Sequence, residues 1–558
     1  MEVRWYNDYS RQFMEQGYLI PGQTIENRIQ IIGDNAEKIL KAMCLNEEDK
    51  SNFDGYSQKL QSYIAKGWVS LSTPIWCNFG NKRGLPISCF GSYIGDSIDE
   101  IYDTVKEIAT MSKNSGGTSG YFGDVRGRGS VITDNGTSNG TKPFLSAFQN
   151  TVTVVSQGTA RRGYFSGYQD IFHPDIEEWL NIRAEGDEIQ HITYGVCIPT
   201  WWIEQMKAGD ADKRVLWAKI VQKRFETGLP YIFFSDNANN HSSTPEVYKG
   251  KGRIKASNMC TEVMLPSNKD ESFVCDLSSI NDYYYDEYKE TDLIETVTYF
   301  LDAVMEEFIT KASELPALHK AVKFAKNHRA LGIGRLGYHS FLQSKMLAFE
   351  SLEARNLNIA IQKNIQEKSL QASMKMAELF GECKETLLLG RRNTTTQSIA
   401  PTTSSAFILD QVSQSTETWL ANVIIKQLAK GKFVIKNKEL EKLLISKEQN
   451  TDEVWESIMK QQGSVLHLDF LTDEEKSVFK TAREISQEEI ILQAAHRQKY
   501  IDQGQSLNLF ITSDTTAKEV SQLMLKAHDL GLKSLYYQHN TSAASEFAKK
   551  FNNCISCE

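Results

Sequence analysis

Apolar residues recur along the chain with two different periods. Ile98, Ile101, Val105, Ile108 and Met111 are spaced three or four apart behind Ser97, with Asp99 and Glu100 in what would be the first turn. That pattern predicts a capped helix from Ile98 onward. The same spacing predicts helices over 292–312 and roughly 353–380, and more loosely over residues 1 to about 70. Between the helical stretches lie short aromatic or β-branched runs: YIFFS (231–235), FVCDL (273–277) and SLNLFI (506–511). Strands separated by helices are the signature of an α/β fold. Residues 435–490 are rich in Lys and Glu and predict exposed helices, while the glycine-rich run 114–140 predicts turns or a binding loop. No internal repeat or long linker interrupts the pattern.

Composition narrows the classes. The chain has 558 residues, 41% hydrophobic and 24% charged, enough for a sizeable core. A net charge of −9 without a basic block argues against nucleic acid as a partner. No run of 18 apolar residues occurs, and the N-terminus has no apolar stretch after a basic start, so the expected location is the cytoplasm, away from membranes. Nine cysteines, an odd number, fit reduced or catalytic thiols better than a disulfide scaffold. Cys554 and Cys557 are the only close pair, and no histidine cluster accompanies them, so no metal site is expected.

Individual motifs carry little weight alone. GIGRLG (332–337) matches a dinucleotide-binding pattern, but the basic, helical segment before it does not read as a buried strand. Its glycines are therefore expected to serve helix packing. In SNMCTEV (257–263), Asn258, Cys260 and Glu262 alternate. On an extended segment all three would share a face, placing a thiol between an amide and a carboxylate; a polar loop with an incidental cysteine is the plainer reading. Cys89 and Cys275, read alone, are inert buried thiols. Thr402, Thr403, Ser404 and Ser405 follow a proline, as a phosphate loop or an ordinary helix start would. The adjacent Tyr536 and Tyr537 would face opposite sides of a regular strand. SQGTARRG (156–163) fits an anion site or solvated charge.

In their order along the chain these segments resemble the large catalytic subunit of class I ribonucleotide reductase. The resemblance runs from LSTPI (71–75) through SCFGSYIGDS (88–97), SQGTARRG, SNMCTEVMLP, FVCDLSSIN, LGIGRLG, NTTTQSIAPTTSS and SLYYQHN to the terminal cysteine pair. It implies a ten-stranded α/β barrel of two half-barrels with a central finger loop. That barrel domain would span 71–540, after a short helical region at 1–70 and before a flexible redox-active tail at 541–558. The implied reaction is reduction of ribonucleoside diphosphates to 2′-deoxyribonucleotides. Cys260 would carry a thiyl radical, Glu262 and Asn258 would handle the sugar hydroxyls, and Cys89 with Cys275 would supply two electrons and end as a disulfide.

By the same resemblance, Cys554 and Cys557 would re-reduce that disulfide, using electrons from thioredoxin or glutaredoxin. Tyr536 and Tyr537 would relay the radical from a separate small subunit that holds the metal and radical cofactor, so no cofactor is bound covalently in this chain. Thr73, Ser88 and residues 402–405 would hold the substrate. Asp96, Ser97, Ile98, Arg126 and Arg161 would bind a deoxynucleoside triphosphate or ATP as specificity effector, beside a homodimer interface on the 97–113 helix. Two departures stand out. SQSTETW (413–419) replaces the family's Gly-x-Glu-Pro element, and only about 70 residues precede LSTPI, so an N-terminal ATP-binding module is expected to be absent.

A cobalamin-dependent reductase and a non-catalytic nucleotide-binding regulator are the alternatives. The five thiols expected of the enzyme are all present, which weighs against the regulator. The isolated chain supplied with adenosylcobalamin should form no deoxynucleotide; turnover without a partner protein would overturn the class I assignment.

Overall fold

The computed structural model describes residues 2–87, 89–114, 116–155, 163–428 and 431–540. Thirteen strands occur among them: β1 Val69–Leu71, β2 Cys89–Tyr93, β3 Gly117–Tyr121, β4 Tyr164–Asp170, β5 Thr193–Ile198, β6 Tyr231–Phe234, β7 Phe273–Asn281, β8 Leu331–Leu336, β9 Val423–Leu428, β10 Gly431–Lys436, β11 Leu509–Ile511, β12 Ser534–Leu535 and β13 Gln538–Asn540. Helices separate most of the barrel strands. The run is apolar because parallel strands buried on both faces have no solvent side to mark with polar residues.

Strands β2 to β6 pair in parallel and in sequence order. β7 joins β2 antiparallel and carries β8 parallel on its other side. Ring closure then uses segments too short to be regular strands. Residue 397 bridges Ile333 of β8 and Ile399 bridges Gln505, both in parallel. The Tyr536 amide donates to the Leu507 carbonyl at 2.8 Å, and β12 pairs antiparallel with β6. Ten segments thus close a ring of two half-barrels, with antiparallel seams at β2–β7 and β6–β12.

The helices expected over 98–113, 292–312 and 353–380 are found at Ile98–Lys113, Leu293–Ala312 and Leu352–Phe380. Ser97 caps the first by accepting from the Glu100 amide. The N-terminal helices Asp8–Glu15, Ile25–Met43 and Tyr56–Ala65 share one hydrophobic core with the barrel. Buried Arg28 fastens them to it, donating to the carbonyls of Ile75, Trp76 and Phe79 at the end of the helix Thr73–Asn78. The region 435–490 does hold three helices, but they enclose a small core around Leu440, Leu444, Trp455, Ile458 and Phe479 and are preceded by the β9–β10 hairpin.

One expectation fails. GIGRLG belongs to the buried barrel strand β8, not to a helix contact. A Cβ at Gly332 would lie 2.4 Å from Leu277 Cδ2 and 3.1 Å from Cys275 Sγ, and one at Gly334 would lie 2.8 Å from the Ser398 carbonyl. The glycines let neighbouring barrel strands approach. The basic segment before them is the helix His319–His328, which stops at Arg329 in the left-handed region.

Behind β8, fully buried Asp302 ties the helix Leu293–Ala312 to the segment that enters the ring. Arg329 Nε donates to its Oδ1 at 2.8 Å, Arg392 Nε to its Oδ2 at 2.7 Å and Asn393 Nδ2 to its Oδ1 at 3.0 Å. Burial opposes the charge, but the two guanidinium groups outweigh it and hold the carboxyl at about 2. Its contribution to stability is therefore complete above the ordinary carboxylate pKa of about 4 and is lost as pH falls through about 2. Asp302→Asn should cost about 3–5 kcal/mol, because it takes the carboxylate from buried Arg392 and leaves Arg329 with Glu306 alone; urea denaturation at pH 7 measures it.

Candidate functional site

The segment around Cys260 threads the ring and is held by donors from strands on several sides. Tyr168 OH of β4 donates to the Asn258 carbonyl at 2.6 Å. Ser506 Oγ donates to the Cys260 carbonyl at 2.5 Å, and Ser534 Oγ of β12 to the Thr261 carbonyl at 2.8 Å. The Glu262 carbonyl accepts from the Gly504 amide at 2.8 Å and from Ser398 Oγ at 2.9 Å. A loop in the middle of a barrel cannot reach bulk water, so its carbonyls must find donors on the wall.

The loop is not extended, as the alternation of its residues suggested. It turns between Asn258 and Thr261, whose amide donates back to the Asn258 carbonyl at 3.2 Å. Thr261 sits at φ 65, a costly conformation for a β-branched residue that the surrounding bonds impose. The turn still brings Asn258 and Glu262 together. Asn258 Nδ2 donates to Glu262 Oε1 at 2.9 Å, while its Oδ1 accepts from the Glu262 and Val263 amides, both at 3.1 Å. Ser506 Oγ lies 3.0 Å from the other carboxylate oxygen, Oε2.

Cys89 and Cys275 face each other across the β2–β7 seam as directly paired residues. Antiparallel partners have Cα atoms about 4.5–5.5 Å apart, within the span of a disulfide. Both are thiols in this structure. Cys89 is half-buried and Asn258 Nδ2 lies 3.8 Å from its sulfur. Cys275 is 1% exposed; burial pushes its thiol up, only partly offset by the Gln503 Nε2–H that points at its sulfur from 3.4 Å.

A cleft of about 560 Å³ opens on this cluster. Cys89, Cys260 and Glu262 line it together with Ser70, Ser72, Thr73, Leu277, Ser278, Ser279 and the loop Ala400–Ser405. The loop begins the helix Thr403–Ile408 with Thr402 in the left-handed region. Ser415 N donates to Thr402 Oγ1 at 2.7 Å, and Thr403 Oγ1 to Gln414 Oε1 at 3.2 Å, so the SQSTETW segment braces the loop from behind. Within that segment Glu417 is partly buried and accepts from Asn508 Nδ2 at 2.6 Å; desolvation raises its carboxyl to about 7.

Tyr536 and Tyr537 lie between β12 and β13, where the strand is interrupted. That break lets both rings meet, 4.4 Å between centroids and tilted by 59°, with Tyr231 4.8 and 5.0 Å from them. Tyr536 is buried, and its amide binds the residue next to Ser506, which holds the Cys260 carbonyl.

Asp96 and Arg126 meet elsewhere, beyond the far end of β2, roughly 20 Å along the chain from Cys89 at strand rise. Arg126 donates to Asp96 through its amide and Nε, both at 2.8 Å. Ser97 caps the adjoining helix, and Ile98 and Tyr102 are 60% and 54% exposed on it. Ser88, Arg161, Cys554 and Cys557 lie outside the described residues. Among the described residues no group of three His, Cys, Asp or Glu side chains could hold a metal ion, and no helix is long and apolar enough to cross a membrane.

The sequence reading missed Tyr168, Ser398, Gln503, Ser506 and Ser534. The run Gln503-Gly504-Gln505-Ser506, polar residues entering a buried strand, was the available signal.

Comparison with known proteins places these features in a lineage. The family described as ribonucleotide reductase, barrel domain, matches residues 87–215, 204–386 and 382–538. A putative ribonucleoside-diphosphate reductase large subunit of Frog virus 3 is 33% identical, over 90% of this chain and 92% of that protein. The ribonucleoside-diphosphate reductase large subunit of Invertebrate iridescent virus 3 is 32% identical, over 93% and 94%. Among solved structures, the class Id ribonucleotide reductase alpha subunit of Actinobacillus ureae superposes with a TM-score of 0.90 at 51% identity, covering 100% of this chain and 99% of that one.

The cross-strand geometry makes a specific prediction. Mild oxidation of the reduced protein should join Cys89 to Cys275 ahead of any other pair among the seven described cysteines; peptide mapping without reduction reads the linkage.

Proposed function

The chain belongs to the ribonucleotide reductase large-subunit family, and from that premise we propose that it reduces ribonucleoside diphosphates to 2′-deoxyribonucleoside diphosphates by a thiyl-radical mechanism. The observation that carries this reading is that Cys260, Glu262 and Cys89, the last paired across the seam with Cys275, line one cleft together with a set of hydroxyls.

The substrate lies with its phosphates on the 402–405 loop, where backbone N–H groups and hydroxyls suit an anion, and its ribose at Cys260 beside Thr73, with Ser88 as a further substrate contact. The Cys260 thiyl removes the hydrogen from C3′, becoming a thiol and leaving a carbon radical. S–H and activated C–H bonds are close in strength, so this step is nearly balanced. Glu262 accepts the 3′-OH proton while the 2′-OH leaves as water, taking its proton from the Cys89–Cys275 dithiol. Asn258 keeps Glu262 oriented throughout. The dithiol delivers two electrons and its second hydrogen to C2′ and becomes a disulfide, Glu262 returns its proton to the 3′ oxygen, and Cys260 returns its hydrogen to C3′, regenerating the thiyl. The balance is one ribonucleotide and two thiols in, one deoxyribonucleotide, one water and one disulfide out.

Tyr536 and Tyr537 carry the radical to Cys260 from a separate small subunit, the source of the metal and radical chemistry. The name of the A. ureae relative, a class Id alpha subunit, supports a partner of this kind. Cys554 and Cys557 return electrons from thioredoxin or glutaredoxin to the Cys89–Cys275 disulfide. A deoxynucleoside triphosphate or ATP binds at the start of the Ile98–Lys113 helix, through Asp96, Ser97, Ile98, Arg126 and Arg161. Its arrival must break or share the Asp96–Arg126 pair, since that pair occupies the arginine intended for its phosphates. Exposed Ile98 and Tyr102 support a homodimer interface along the same helix.

Cys260→Ser should abolish deoxynucleotide formation in the presence of the small subunit and a dithiol, a loss of at least about 10³-fold, while nucleotide binding measured by calorimetry stays intact. Retained turnover would exclude Cys260 as the radical carrier.

A further inference from the structure

The two thiols of the β2–β7 seam are not equivalent. Cys89 lines the cleft, whereas Cys275 is 1% exposed and lies behind it in the wall. Thiol–disulfide exchange proceeds by attack of a thiolate on one sulfur and departure of the other. An attacker entering from the cleft therefore meets Cys89 first, with Cys275 on the far side.

The departing sulfur needs stabilisation, because a buried thiolate without a donor is costly. Gln503 provides a donor and is fully buried. Its amide has one available orientation: Oε1 accepts from the Met264 amide at 3.2 Å, which no N–H could replace. Nε2 then faces the Leu331 carbonyl at 2.9 Å, Thr395 Oγ1 at 3.0 Å and Cys275 Sγ at 3.4 Å. With two hydrogens for these three acceptors, one bond is made to the wall and the other is available to the sulfur. In the thiol state the S–H can instead turn to Oε1, 3.9 Å away. On the Cys89 side, Asn258 Nδ2 stands farther off at 3.8 Å and is engaged by Glu262 at 2.9 Å. Gly332 leaves the space beside Cys275 Sγ open, where a Cβ would come within 3.1 Å.

Resting on the reading above that Cys89 and Cys275 are oxidised together in each turnover, we propose that re-reduction of their disulfide is directional: the incoming thiolate attacks the Cys89 sulfur, and Cys275 leaves as a thiolate held by the Gln503 amide. The S–S bond between Cys89 and Cys275 breaks, and a bond between Cys89 and the incoming sulfur forms. The electron pair goes to Cys275, which then takes a proton. A second external thiolate attacks the incoming sulfur of that mixed disulfide, releasing Cys89 as a thiolate and an oxidised external disulfide. Two external thiols are oxidised and the two cysteines are reduced.

The test uses the full chain, with Cys554→Ser and Cys557→Ser so that the tail cannot reduce the pair first, after one turnover with the small subunit. It is exposed briefly to the monothiol 2-mercaptoethanol, quenched with acid, alkylated with N-ethylmaleimide and mapped by mass spectrometry. The mercaptoethanol adduct should sit on the Cys89 peptide, with the maleimide on Cys275. An adduct on Cys275 overturns the inference alone; failure to find any Cys89–Cys275 disulfide after turnover overturns the proposed function and the inference with it. Gln503→Met, which keeps the length and loses the N–H, should slow the first exchange about tenfold, as loss of a hydrogen bond to a charged group predicts. In Gln503→Glu the ionised carboxylate repels the thiolate and offsets the growing supply of attacking thiolate, so the rate should level off with rising pH where the wild-type rate keeps climbing. Maleimide labelling of reduced Cys89 at the wild-type rate shows that each variant is folded. Wild-type exchange rates and pH trend in both variants would overturn the role of Gln503.

Discussion

The structure depends on satisfying a polar loop inside a closed barrel. The turn around Cys260 brings backbone carbonyls and a carboxylate into a space with little water, where each unpaired group would cost about 1–3 kcal/mol. The ring supplies the donors: Tyr168, Ser398, Gly504, Ser506 and Ser534 all address oxygens of the loop. They come from opposite halves of the ring, so the same bonds that satisfy the loop also hold the two half-barrels in register. The left-handed conformation of Thr261 persists because this set of contacts over-determines it.

This arrangement also fixes where each reactive group lies. Glu262 is gripped by Asn258 on one oxygen and reached by Ser506 on the other, so it can change protonation without changing place. The Ser506 hydroxyl has a single proton for two acceptors, the Cys260 carbonyl and Glu262. It therefore couples the state of the acid to the backbone that carries the thiol. The β2–β7 seam, antiparallel where its neighbours are parallel, sets two cysteines directly opposite each other beside that loop.

Elements remote from the cleft serve the same end. Arg28 closes the carbonyl end of the helix that carries Thr73, and the Tyr18 hydroxyl meets Thr73 Oγ1 at 3.0 Å. The N-terminal helices are thus part of the cleft wall's support. Asp302 anchors the segment 392–399 as it enters the ring, and the 413–419 segment braces the hydroxyl loop despite lacking the family's usual glycine and proline there.

Much of this was legible in the chain. Helical spacing located the long helices, because a half-buried helix must repeat its apolar residues on one face. Ordered motifs identified the family, since such motifs are dictated by chemistry rather than by neighbours. Strand β8 was misread because its buried glycines lack the β-branched signal; their reason is the approach of Leu277, Cys275 and Ser398 from other strands. The turn at Thr261, the meeting of Tyr536 with Tyr537 across a broken strand, and the donors Gln503 and Ser506 were equally hidden. Sequence by itself settled which groups are available and which segments are regular. Only the tertiary structure decided which groups face one another, because a barrel joins residues hundreds of positions apart and local spacing holds no record of those encounters.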